Sequence, residues 1–155
     1  MTITSAICNS FKQEILVEGH NFTNGTDAFK IALYSSNSAT LSKATTVYTA
    51  PTDGTADPTN TYEVTSTSSG YTTGGNALTS TTPALSGDTA CCKFADTSWG
   101  SSASFTARGC LIYNSTNANK AVCAINFGSD KTVTSGTFTI QFPAQTAGNA
   151  IIQIA

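Results

Sequence analysis

The sequence predicts a mainly β protein: an antiparallel β-sandwich or jelly-roll-like domain carrying one short N-terminal helix. Three observations predict it. Thr and Ser supply 46 of 155 residues, 28 and 18 respectively, and β-branched Thr packs well on a pleated strand. Several segments alternate apolar and polar residues with period two, which puts successive side chains on opposite faces of a sheet. Turn-forming Gly, Asn, Asp and Pro recur roughly every 8–15 residues, and no second helical pattern follows Gly25 to supply the crossovers of a parallel sheet.

The elements follow in order. Ser5 to Glu18 reads as the helix: Ile7, Phe11 and Ile15 recur every four residues and Ile3 extends the stripe backwards. Thr4 or Ser5 is placed to cap it and Gly19 to end it. Its apolar face has two destinations, the domain's own sheet or a neighbouring subunit. On the second, Ile3, Ile7, Phe11 and Ile15 are the partner-binding residues, and residues 1–20 form a helical arm before a β-sandwich domain of residues 21–155. Phe29–Tyr34 alternates cleanly and predicts a half-buried strand. Thr45–Thr49, Thr61–Ser66 and Ala77–Ser80 are weaker strands, and Pro51–Asn60 is a loop. Thr89–Ala95 is stronger. Phe105–Tyr113 alternates partly, with Gly109 marking a bulge or a close backbone approach. Lys120–Phe127 is a strand, Gly128–Lys131 a turn, Phe138, Ile140 and Phe142 face inward, and Ala150–Ile154 closes the chain.

Composition excludes several functions. Only 10 % of residues are charged, against roughly 25 % in an average soluble protein. Seven basic and nine acidic residues give a net charge of -2, with no basic cluster to displace counterions from nucleic acid. No apolar run reaches the ~18–20 residues of a membrane span. The five cysteines (Cys8, Cys91, Cys92, Cys110, Cys123) and the single His20 lack the spacing of a zinc site. They read as small apolar residues in strands, with an inter-strand disulfide as the alternative, and fit synthesis in a reducing cytoplasm.

No catalytic constellation emerges. A serine or cysteine nucleophile needs a base beside it, and His20 falls at the helix end, where it reads as solvated or as a partner of the helix dipole. Glycoside hydrolysis needs paired carboxylates, whereas Asp53, Asp57, Asp88, Asp96 and Asp130 are scattered in turns and loops. The expectation is a protein that is not an enzyme, holds no metal or cofactor, and works through its surface.

A series of strings carries a resemblance: Phe11-Lys12-Gln13-Glu14, Phe29–Tyr34, Gly70-Tyr71-Thr72-Thr73-Gly74-Gly75, Phe94–Trp99, Thr106–Asn114, Phe127–Asp130, Phe138–Pro143 and Ala150-Ile151-Ile152. Across nearly its whole length the chain resembles small structural proteins of tailed-bacteriophage virions, cyanophages included. The resemblance implies a capsid cement or decoration protein that binds the outer shell and clamps neighbouring major capsid subunits. Its partner would be the major capsid protein, its state a homo-oligomer (trimer or dimer), and its location the capsid surface. The alternative is a tail, baseplate or fibre component that binds a host receptor or glycan, with Tyr48, Tyr62, Tyr71 and Trp99 as candidate platforms.

Overall fold

The computed structural model describes residues 2–35, 40–49, 62–65 and 70–155; the Pro51–Asn60 loop, with Asp53 and Asp57, lies outside them. The described chain is mainly β, in two antiparallel sheets with a single short helix near the N-terminus. Its elements are β1 (Ala6–Ile7), α1 (Asn9–Glu14), a 3₁₀ turn (Ile15–Val17), β2 (Phe29–Tyr34), β3 (Asn76–Leu78), β4 (Ala84–Ser86), β5 (Thr89–Cys92), β6 (Thr97–Asn114), β7 (Lys120–Ile140) and β8 (Ile152–Ile154). One sheet runs β1-β7-β6-β2-β3 and the other β4-β5-β8.

Register explains the core. Ile31, Ile112 and Cys123 are cross-strand neighbours, as are Leu33, Cys110 and Ile125, so they line one face of the large sheet. Above Phe29 on that face, Phe22 stacks at 4.5 Å, Phe94 packs at 5.5 Å, and Phe142 meets Phe94 at 5.6 Å. Phe94 follows β5, so this aromatic chain joins the two sheets. A second aromatic group, Tyr71, Trp99, Phe105 and Phe138, packs along the far half of β6 and β7.

The clean alternation of Phe29–Tyr34 does form a strand, but it is buried on both faces rather than one: on its second face Tyr48 stacks on Tyr113, the cross-strand neighbour of Lys30, while Glu63 bridges Tyr34 along its edge. Phe138 and Ile140 lean inward between exposed Thr137 and Thr139, as the alternation requires. Gly109 shows both expected features. The β6–β7 register shifts beside it, and a Cβ there would lie 2.5 Å from the Ile125 carbonyl oxygen.

Three expectations need correction. First, the N-terminal helix is shorter than Ser5–Glu18. Ala6 and Ile7 are extended and pair with Ala124 and Cys123, and the Cys8 N–H donates to the Val122 carbonyl. The open edge of β7 offers these residues backbone bonds that an isolated helix would have had to supply internally. The spacing 3-7-11-15 is thus shared between an extended segment and a helix. Glu18, at φ 57°, takes the left-handed cap position expected of Gly19. Gly19 is held instead by proximity, since a Cβ there would lie 2.8 Å from the Glu14 carbonyl oxygen. Second, Gly128–Lys131 does not reverse the chain. Gly128 sits at φ 79° within β7, and the strand continues through a bulge. The reversal is at 117–120, where Lys120 N–H donates to the Asn117 carbonyl and Ala118 and Asn119 both have positive φ, the arrangement of a type I′ hairpin turn. Third, among the described residues, Thr45–Thr49 and Thr61–Ser66 contribute only single bridges, Val47 to Lys120 and Glu63 to Tyr34, while β4 pairs with β5 across the two-residue turn Gly87-Asp88.

Candidate functional site

The four residues expected to contact a partner are placed within the domain. Ile3 and Phe11 are buried in the core, and the half-buried Ile7 and Ile15 pack against it. Residues 2–20 are therefore stitched into the large sheet and do not stand apart as an arm. The exposed apolar side chains around them are Leu16, 83 % accessible, and Val17. A second exposed pair lies on the small sheet. Leu85 is opposite Ala90, and Ala90 opposite Ile154, so Leu85 (76 % accessible) and Ile154 share one outer face across a sheet whose β4 and β8 edges carry no further strand among the described residues.

His20 is not the solvated residue expected. It is buried against Phe11 and bonded at both nitrogens: Nε2 to Glu14 Oε2 at 2.8 Å and Nδ1 to Asn114 Nδ2 at 3.1 Å. Asn114 Oδ1 accepts from the N–H groups of Thr116 and Asn117, which orients its amide with Nδ2 as donor to His20 and to Asp27 Oδ2. Nδ1 is then the acceptor, and the ring proton lies on Nε2, donated to Glu14. Lys120 Nζ stands 3.6 Å from Glu14 Oε1. Both ring nitrogens are taken by Glu14 and Asn114 rather than by a hydroxyl or thiol, so the chain Glu14–His20–Asn114–Asp27 fastens the N-terminal segment to the β6–β7 turn instead of activating a nucleophile.

A second polar centre escaped sequence reasoning altogether. Glu63 is buried and accepts three bonds: Tyr48 O–H at 2.9 Å, Tyr71 O–H at 2.8 Å and Gly74 N–H at 2.7 Å. Tyr71 Oη in turn accepts from Leu33 N–H, and Tyr113 O–H donates to the Gly74 carbonyl while stacking on Tyr48 at 4.3 Å. Burial raises the Glu63 carboxyl above the usual carboxylate range, and the three donors pull it back only in part. Burial, with the Glu63 charge beside them, also raises the phenols of Tyr48 and Tyr71. All three donors come from the chain itself, so the centre pins three loop segments to β2 and β6. Nothing in the local string Tyr62-Glu63-Val64 signals it, because its partners lie up to fifteen residues away on other segments.

The aromatics proposed as glycan platforms are also accounted for. Tyr48, Tyr71 and Trp99 are buried, and Tyr62 is half-buried against the core. Among the candidate carboxylates, Asp96 accepts from Phe142 N–H and Asp130 meets Arg108 at 3.5 Å. No metal-binding group of His, Cys, Asp and Glu occurs among the described residues, and all five cysteines are free and buried. No helix among the described residues is long and apolar enough to cross a membrane.

A cleft of about 500 Å³ is lined by Cys110, Ile125, Phe127, Lys131, Phe138–Pro143 and Ile151. Its origin is the curvature of β7. Phe127 and Phe138 are eleven residues apart and would stand ~36 Å apart on a straight strand, yet they face one cleft. Gly128 at φ 79°, Ser135 at φ 44° and register shifts at Trp99/Ala103, Ala103/Phe105 and Ala107/Gly109 curl the hairpin, as bulges do. Phe142, Pro143 and Ile151 close the concave side. No protein-family model, curated protein or solved structure matches the chain.

Proposed function

We propose that this chain is a structural protein of a phage virion, most specifically a capsid cement or decoration protein that binds the outer shell and braces contacts between major capsid subunits. The observation that carries the reading is its surface. The most exposed large apolar side chains stand at two sites, Leu16-Val17 and Leu85/Ile154, within a surface of few charges. Hydroxyls pair across the exposed face of the long hairpin, Ser98 with Thr139 at 2.9 Å and Thr106 with Thr132 at 2.8 Å. Such a surface is buried against a partner without the cost of desolvating ions. The resemblance of the sequence to phage virion proteins supports the same reading.

The mechanism is linkage. A protein that binds only the assembled shell stabilises it by about 2.7 kcal/mol per site at a concentration a hundredfold above Kd, and this accumulates over many sites. Because Ile3 and Phe11 are core residues, removing the N-terminus would unfold the domain, so the test uses exposed positions. Purified protein is mixed with capsids assembled without it, and co-sedimentation and copy number on the shell are measured for the native chain, Leu16→Asp/Val17→Asp and Leu85→Asp/Ile154→Asp. Hundreds of copies per shell, with binding lost in at least one folded double variant, support the reading. Absence of the native chain from the shell, or a few dozen copies confined to the tail, overturns it in favour of a tail or fibre component.

A further inference from the structure

We propose that the cleft inside the curl of β7 is a binding site for an amphipathic monocarboxylate, a compact hydrocarbon or aryl body carrying one negative charge. Its volume falls within the ~300–1,000 Å³ typical of small-ligand sites, and its makeup, apolar walls with few polar groups, is theirs too. The walls come from separate parts of the chain: Ile125 and Phe127 from the near half of β7, Phe138 and Ile140 from its far half, Phe142 and Ile151 from the segment that follows. All but Phe142 are only half-buried, so an apolar body seated among them removes surface from water that the fold leaves wet.

Charge selects the head group. Lys131 is the one charged residue of the lining, and its Nζ bonds the Ser129 hydroxyl at 3.0 Å. The neighbouring Asp130 is turned to Arg108, leaving the ammonium without a carboxylate partner among the described residues. Thr139 and Gln141 are the remaining polar groups of the lining. A cation so placed beside an apolar cleft favours one anion and disfavours a cationic amphiphile of the same length.

The site is independent of shell binding, and so is its test. Decanoate and decyltrimethylammonium, each below its micelle concentration, are titrated into the full chain by calorimetry and by amide NMR. Decanoate is expected to bind saturably at one site per chain, shifting amides in 125–127 and 138–142, at least about tenfold more tightly than the ammonium, the worth of one charge-assisted bond. Lys131→Gln should abolish that preference without abolishing apolar binding. Ile140→Trp, at a half-buried lining position whose side chain faces the cleft, should fill it and block both probes, with unchanged circular dichroism. Failure of decanoate to saturate, shifts mapping to Leu16 or Leu85 instead, or a preference that survives Lys131→Gln overturns the proposal.

Discussion

Replacing Glu63 by Gln separates the two forces acting on that carboxyl. Burial disfavours its charged form, and the donors from Tyr48, Tyr71 and Gly74 favour it; burial prevails, so the folded pKa is raised. An unfolded glutamate titrates near about 4.3, so the folded chain holds this proton more tightly than the unfolded one. The group's contribution to stability is therefore complete below about pH 4. It declines as pH rises through the folded pKa, with a slope of no more than about 1.4 kcal/mol per pH unit. The glutamine of the variant stays neutral throughout. Its oxygen can accept from Tyr71 and Gly74, and its amide can donate to Tyr48, whose hydroxyl is free to rotate. Urea unfolding from pH 4 to 8, followed by the fluorescence of the single, buried Trp99, should show the native chain losing stability relative to Glu63→Gln as pH rises. Glu63→Ala tests the bonds themselves. It strands two buried hydroxyls and one N–H at about 1–3 kcal/mol each, so a loss of at least about 3 kcal/mol is expected, a large part of a domain's ~5–15 kcal/mol. Parallel pH curves for the native chain and Glu63→Gln would refute the dominance of burial, and a Glu63→Ala cost below about 1 kcal/mol would refute the pinning role.

Other outcomes follow from the same geometry. A Cβ on Gly75, at φ 72°, would sit 1.7 Å from the Ile31 carbonyl oxygen, whereas one on Gly25, at φ 82°, meets open space. Gly75→Ala should thus fail to accumulate as folded protein, while Gly25→Ala loses only about 1 kcal/mol in a urea melt. Phe11→Ala should cost about 3–5 kcal/mol, against less than about 0.5 kcal/mol for Leu16→Asp; equal melting shifts would contradict the placement of the N-terminal segment. All five cysteines are buried, and burial raises the Cys8 and Cys92 thiols to about 11 and those of Cys110 and Cys123 well above the ordinary thiol value. A thiol-specific disulfide reagent at pH 7 should therefore react slowly with the native chain and release five equivalents at once in guanidinium. Fast stoichiometric labelling of the native protein would show these cysteines to be accessible.

The sequence by itself determined the class of fold and much of the strand inventory. Period-two alternation at 29–34, 120–127 and 137–142 marks strands, and at 137–142 also which side chains face the core, and that depends only on neighbouring residues. Gly109 was legible for the same reason, since a glycine inside an apolar strand marks a place where backbone must come close. Low charge and abundant hydroxyls were legible too, and they set the character of the surface. Tertiary structure alone decided the rest. The open edge of β7 drew Ala6 and Ile7 out of a helical pattern, because backbone bonds to a distant strand outweighed local propensity. The same contact moved Ile3 and Phe11 from a candidate docking face into the core and left Leu16 and Val17 outside. Glu63 acquired its partners, and His20 its fixed tautomer, from residues brought together only by folding. The cleft exists because bulges curl one long strand until residues eleven apart face each other, a property of the whole hairpin that no local string encodes.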